Sequence, residues 1–338
     1  MNLYSQNAEE IMTQPSIKKI LVIRQGALGD FVQTLGAFEA IRKAYPLDHI
    51  TLLTGPGLVA LAEKTCYFDA VHIDQRPRWI HVRKLFSVLR WIVKEHFDMV
   101  FDLQNSQRTA FYFRVLRATL GRHLPMWSRA DVPCQLPYAP PRDGKIHNLD
   151  RLQGQLHSAG ITHVPPPSFH WLPDAPHDSF SAQDRPTALI VPHAAPHRAV
   201  KCWPPECYVE IMGRLAHRGI RSVLIGSAEE ARQSLSIKGF LEEWVEDWRG
   251  RTSLYDLVTL GRQCLMALGN DTGPMHIFAI AGCPTWMLMS AESDPVRCAP
   301  RGAHATTLQS SSLADLSPEV VWASIESRLE GLNTNYYK

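Results

Sequence analysis

The chain has 338 residues, of which 45% are apolar and 20% charged, with a formal charge of +2. That is too long for one hydrophobic core and too apolar for disorder, so two globular domains are expected. Seven scattered cysteines without a C-x-x-C pair argue against a disulfide scaffold or a zinc module, and fifteen histidines without H-E-x-x-H offer no metal spacing.

The opening MNLYSQNAEEIMTQPSIKK is acidic where a signal peptide would be basic, so no export is expected and the assigned compartment is the cytoplasm. KILVIR at 19–24 reads as a strand that ends in a glycine turn. Phe31, Thr34, Leu35, Phe38 and Ile41 then recur at helical spacing from Asp30 to Tyr45. HITLLTG at 49–55, AVHID at 70–74 and MVFDLQ at 99–104 follow as strands with helical stretches between them. A proline-rich stretch at 131–187, interrupted by a helix near 147–159, marks a boundary. The pattern then restarts with TALIVPH at 187–193, a helix opening at Pro204 and Pro205, SVLIGS at 222–227, another helix, LMALGN at 265–270 and PTWMLMS at 284–290.

Alternating strands and helices predict an α/β protein of two Rossmann-like domains, the GT-B architecture, with a ligand cleft where the carboxyl ends of both sheets meet. The expected division is 1–170 and 171–338, with the C-terminal helix free to pack back on the first domain. The longest uncharged apolar stretch, Ile277 to Ser290, is too short to span a bilayer, so any membrane contact is expected to be peripheral.

The first turn, R-Q-G-A-L-G-D at 24–30, has its glycines spaced G-x-x-G. A dinucleotide site would require G-x-G-x-x-G with an acid after the second strand, and no P-loop motif is present either. Asp30 has two readings on spacing alone: a general base, or an N-cap that accepts the first free N–H groups of the helix. At 268–285, LGNDTGPMHIFAIAGCPT reads as a strand followed by a helix with an early proline, whose N-terminus suits a diphosphate. The bland alternative makes D-T-G-P a helix cap and His276 a satisfied helix histidine.

Four segments in order, GALGDFVQT from 26, DLQNSQRTA from 102, VPHAAPHRAVKCWPPECY from 191 and GNDTGPMHIFAIAGCPT from 269, resemble glycosyltransferase family nine, the lipopolysaccharide heptosyltransferases. The resemblance covers roughly residues 18–300. It implies an inverting, metal-independent transfer of heptose from ADP-heptose, with no cofactor besides that donor, to a lipopolysaccharide core acceptor. It assigns Asp30 as the catalytic base, Lys201 as a phosphate-facing catalytic residue, and Asp271, Thr272, Gly273 and His276 as the donor motif. Glu230 or Glu229 is assigned to the ribose, and Arg24, Gln104 and Arg108 to the acceptor. The chain departs from the family at Ala27, where a hydroxyl is common, and at Pro196 and His197, where hydroxyls often meet phosphate.

Residues 1–170 hold 20 Lys+Arg against 14 Asp+Glu, whereas the remainder holds 15 against 19. Arg76, Arg78, Arg83, Lys84, Arg90 and Lys94, interleaved with Trp79, Phe86 and Trp91, form one acid-free basic stripe; Arg108, Arg114, Arg117, Arg122 and Arg129 form another. No nucleic-acid motif accompanies them, and the expected partner is an anionic, lipid-linked acceptor at the inner membrane surface; simple solvated faces are the alternative. Two rival readings are the same fold with a different nucleotide sugar or acceptor, and a catalytically silent sugar-nucleotide or lipid-binding module.

Overall fold

The computed structural model describes residues 17–76, 82–141, 145–174, 185–193, 202–233 and 235–336. The chain divides into two compact units. The first comprises the residues up to Gly26, Gly36–Pro140 and Leu152–Pro165; the second comprises Ala27–Leu35, Pro141–Arg151 and the residues from Pro166 onward.

The chain opens with β1 (Lys19–Ile23), α1 (Leu28–Gln33), α2 (Leu35–Ala44), β2 (His49–Thr54), α3 (Val59–Lys64) and β3 (Ala70–Ile73). It continues through α4 (Val82–Glu95), β4 (Met99–Asp102), α5 (Gln107–Leu120), β5 (Met126–Ala130), β6 (Leu136–Tyr138) and α6 (Asn148–Ser158). All six strands are parallel, in the order β3-β2-β1-β4-β5-β6. Ile20 to Ile23 are wholly buried, which explains why β1 reads as an unbroken apolar run and not as an alternating strand. Leu85, Val88, Leu89 and Ile92 bring one face of α4 into a core with Val100, Phe113 and Trp127. Each such side chain contributes about 1.5–3 kcal/mol of burial.

The single helical stretch expected from Asp30 to Tyr45 is broken at Thr34, whose hydroxyl donates to the carbonyl of Asp30 (2.7 Å). The Thr34 N–H reaches back only to Phe31, so α1 closes with a tight turn at the point where the chain leaves the second unit for the first. β5 and β6 were not legible in the sequence. β6 has three residues, includes Pro137 and lies at the sheet edge, where a missing N–H is tolerated.

The second unit contains β7 (Thr187–Val191), α7 (Pro205–His217), β8 (Arg221–Leu224), β9 (Val245–Asp247), α8 (Leu254–Gln263) and β10 (Met266–Asn270). It ends with α9 (Gly273–Ala281), β11 (Thr285–Met289), α10 (Pro295–Cys298), β12 (Ala305–Gln309) and α11 (Pro318–Tyr336). Its parallel sheet runs β12-β11-β10-β7-β8-β9, so the strand order reverses between β7 and β10. Trp203, Tyr208 and Trp286 form the centre of its core, and Val321, Trp322 and Ile325 of α11 join the same cluster. Among the described residues no helix is long and apolar enough to cross a membrane.

Candidate active site

In the first unit the turn after β1 depends on Gly26, whose φ of 109° lies in the region that favours glycine. Gln104 braces this turn from the end of β4, accepting the Gln25 N–H (2.7 Å) and donating to the Gly26 carbonyl (3.1 Å). Arg24 is buried and donates to the Leu103 carbonyl (2.7 Å). Below the turn, buried Asp74 accepts from the Gln25 amide and from the Tyr112 hydroxyl, and Arg108 hydrogen-bonds Tyr112 in turn.

In the second unit Ala27 is the N-cap of α1 and makes no side-chain cap, and Asp30 stands in the first helical turn. The N-cap reading of Asp30 is therefore corrected: the cap position belongs to Ala27, and the carboxylate lies within the turn, where the helix dipole favours a negative charge. Gly29 is required by close approach, because a Cβ there would lie 2.6 Å from the His276 ring. The Gln33 amide nitrogen sits 2.7 Å from His276 Nδ1. An amide nitrogen only donates, so Nδ1 accepts and the ring proton sits on Nε2, 4.0 Å from an Asp271 oxygen. Burial holds this imidazole down at about 4, although Asp271 and Asp30 both pull upward.

Asn270, wholly buried at the end of β10, sets the geometry of the following turn. Its side chain accepts the Trp203 N–H and the Tyr208 hydroxyl (both 2.9 Å) and donates to the Pro192 carbonyl (2.9 Å). The helix α9 then starts with Thr272 as its N-cap residue and Pro274 in its first turn, and the Thr272 side chain makes no cap there. The Ser293 hydroxyl donates to Asp271 (2.5 Å). The D-T-G-P turn is thus held by the hydrogen bonds of Asn270 at one end and by that from Ser293 to Asp271.

A cavity of about 710 Å³ opens here, lined by Asp30, Gln33, His193, Glu230, Thr272 and His276 among others. Asp271 and Gly273 also line it. Glu230 accepts the Ser227 N–H (2.6 Å) at its wall, whereas Glu229 is exposed and is not among the lining residues.

A family model described as glycosyltransferase family 9 (heptosyltransferase) matches residues 152–321, half of the chain. The chain belongs to glycosyltransferase family 9. As a glycosyltransferase enzyme of this family it is 23% identical, over 299 residues, to the lipopolysaccharide core heptosyltransferase OpsX of Haemophilus influenzae, covering 84% of this chain and 82% of that one. Its fold is similar to that of the Escherichia coli ADP-heptose lipopolysaccharide heptosyltransferase II, with a TM-score of 0.71 and 19% identity over 93% of this chain and 99% of that chain. A second similar structure is the E. coli heptosyltransferase WaaC with ADP-2-deoxy-2-fluoro heptose (TM-score 0.70, 19% identity, 92% and 99% covered). The two Rossmann-like units of this family 9 enzyme are the expected α/β, GT-B elements.

In this glycosyltransferase the cavity wall brings together Asp30, Glu230 and the Asp271, Thr272, Gly273 and His276 segment, three stretches that are far apart in sequence. Arg24 and Gln104 brace the first turn of the other unit, with Arg108 beside Tyr112. Lys201 lies outside the described residues, as do Pro196, His197, Arg78 and Trp79. Of the basic stripes, Arg83, Phe86, Arg90 and Lys94 are exposed on α4, whereas Trp91 stacks on His72 with ring centroids 3.7 Å apart. Arg129 does not belong to a surface stripe: it is buried and ion-paired with Asp102. Gln33, His193, Asn270 and Ser293 escaped sequence reasoning. Only the Gly29 to Gln33 spacing, one helical turn, hinted at a shared partner. Among the described residues no group of three or more His, Cys, Asp or Glu is arranged to hold a metal ion.

Proposed function

We propose that this glycosyltransferase moves heptose from ADP-heptose to a hydroxyl of a lipopolysaccharide core acceptor, with inversion and without a metal. The observation that carries the reading is the cavity of the second unit, where the Asp30 carboxylate shares a wall with the Asp271–Gly273 turn and the N-terminus of α9. The names of the similar proteins, a lipopolysaccharide core heptosyltransferase and enzymes of ADP-heptose, supply the sugar and the acceptor class.

In this reading the acceptor hydroxyl attacks the anomeric carbon while Asp30 takes its proton. The bond from that carbon to the diphosphate oxygen breaks, and its electron pair leaves with ADP. The developing charge meets the positive end of α9 and Lys201. Asp271, an anion, accepts from sugar hydroxyls, and Glu230 accepts from the ribose. The exposed cations of α4 and α5, in the first unit, suit an anionic, lipid-linked acceptor at the cytoplasmic face of the inner membrane.

Turnover of ADP-heptose beside UDP- and GDP-sugars, with a core acceptor and excess EDTA, tests this. Transfer from ADP-heptose alone, undiminished by chelator and giving the opposite anomer by NMR, is expected. Preference for another nucleotide sugar would overturn the donor. Loss with EDTA that magnesium restores would overturn metal independence, and retention of configuration would overturn inversion.

A further inference from the structure

Arg249, in the loop after β9, is a buried cation with only 4% of its side chain exposed. Asp247 holds it by two hydrogen bonds, from Nε (2.9 Å) and Nη2 (2.7 Å). Its Nη1 lies 2.9 Å from the Glu230 carbonyl, the Gln233 carbonyl and Nε2 of His193. Because a guanidinium has no acceptor, His193 must accept at Nε2 and carry its proton on Nδ1.

His193 is 5% exposed, and what it exposes is on the cavity wall. It stands two residues beyond the end of β7, beside β10, at the point where the strand order of the sheet reverses. That is where doubly wound sheets receive the phosphates of a nucleotide. With Nε2 already engaged, the ring can offer the cavity only an N–H. Its neighbours agree: burial and Arg249 both push the imidazole below its ordinary value, against the carboxylates of Glu230 and Asp247.

We propose that His193 is a donor-site residue, a neutral imidazole locked as the Nδ1–H tautomer by Arg249, and that its Nδ1–H donates to the diphosphate of the nucleotide. Arg249 is the positioning residue that acts through it. The inference rests on the nucleotide-sugar reading of the cavity but adds two residues which that reading does not use.

Calorimetry with ADP tests it. His193→Leu removes a hydrogen bond to a charged acceptor and is expected to weaken ADP about tenfold or more. His193→Asn, whose amide nitrogen takes the place of Nδ1, should stay within about threefold of wild type by keeping that bond. The pH profile for ADP-heptose, whose diphosphate has no proton to lose near neutrality, separates donation from mere packing. In Arg249→Met the cation is gone while the carboxylates of Glu230 and Asp247 remain, so the ring gains a proton at a higher pH than in wild type and binding should strengthen as the pH falls. Wild type, with its neutral ring, should show no such rise.

ADP binding by wild type with an unchanged affinity in His193→Leu would overturn this proposal and leave the nucleotide reading standing. Wild-type protein that binds no ADP would overturn both. A flat pH profile in folded Arg249→Met would overturn the tautomer lock, and if that variant does not fold, the contrast between the two His193 variants decides.

Discussion

Gln33 and His276, 243 positions apart, are joined by a 2.7 Å hydrogen bond that ties α1 to α9. The imidazole passes over Gly29, where no Cβ stands in its way, and it faces Asp271 with its other nitrogen. A buried, neutral histidine thus connects the helix carrying Asp30 with the turn carrying Asp271.

That buried histidine should make stability depend on pH. Its folded value of about 4 lies below the ordinary 6.5, so its contribution is complete above pH 6.5 and is lost as the pH falls toward 4. The loss across this window is about 3 kcal/mol. His72, His147 and His193 are shifted in the same direction by burial and add to the slope. Urea unfolding of wild type and His276→Gln at pH 7, 6, 5 and 4 checks it: the variant should lose less. Parallel curves would refute a buried neutral His276.

Asp30→Asn keeps the size and polarity of the side chain but removes the base. Turnover should fall about a hundredfold or more while ADP binding stays close to wild type. Near-normal turnover would leave Asp30 as a favourable charge at a helix N-terminus and nothing more.

Asp271→Ala should weaken ADP-heptose more than ADP, since a carboxylate gains from sugar hydroxyls and not from phosphate. Ser293→Ala should act in the same direction but only by about two- to tenfold, because it removes one hydrogen bond that aims the carboxylate. Calorimetry with both ligands measures the contrast. Equal losses for the two would show that Asp271 does not read the sugar.

In the first unit, Asp102 is wholly buried and paired with Arg129, which also donates to Thr109 (2.9 Å) and to the Ser106 carbonyl (3.0 Å). Asp102→Ala strands the guanidinium and should cost about 3–5 kcal/mol in denaturant unfolding. Adding Arg129→Met should restore part of the loss. A double variant less stable than Asp102→Ala alone would mean that Arg129 supports the fold through Thr109 and Ser106 and not through Asp102.

The sequence by itself determined the two restarting βα patterns, the glycine turn at Gly26, and the strand-to-helix turn at Asp271–Pro274, because apolar runs, glycines and an early proline express local preferences of the backbone. It led to Asp30 as a site residue and left Glu229 and Glu230 undecided, since either register satisfies the same pattern. Only the tertiary structure placed Glu230 on the cavity wall, broke the first helix at Thr34, and revealed β5, β6, β9 and β12. Of these strands, the three at sheet edges are three to five residues long and only partly buried, so their neighbours, not their own composition, make them strands. The same holds for Gln33, His193, Asn270, Ser293 and Arg249: each is an ordinary polar residue until the fold removes water from around it. Once buried, a polar group must find a partner or destabilise the fold, and the identity of that partner is settled by residues up to 243 positions away.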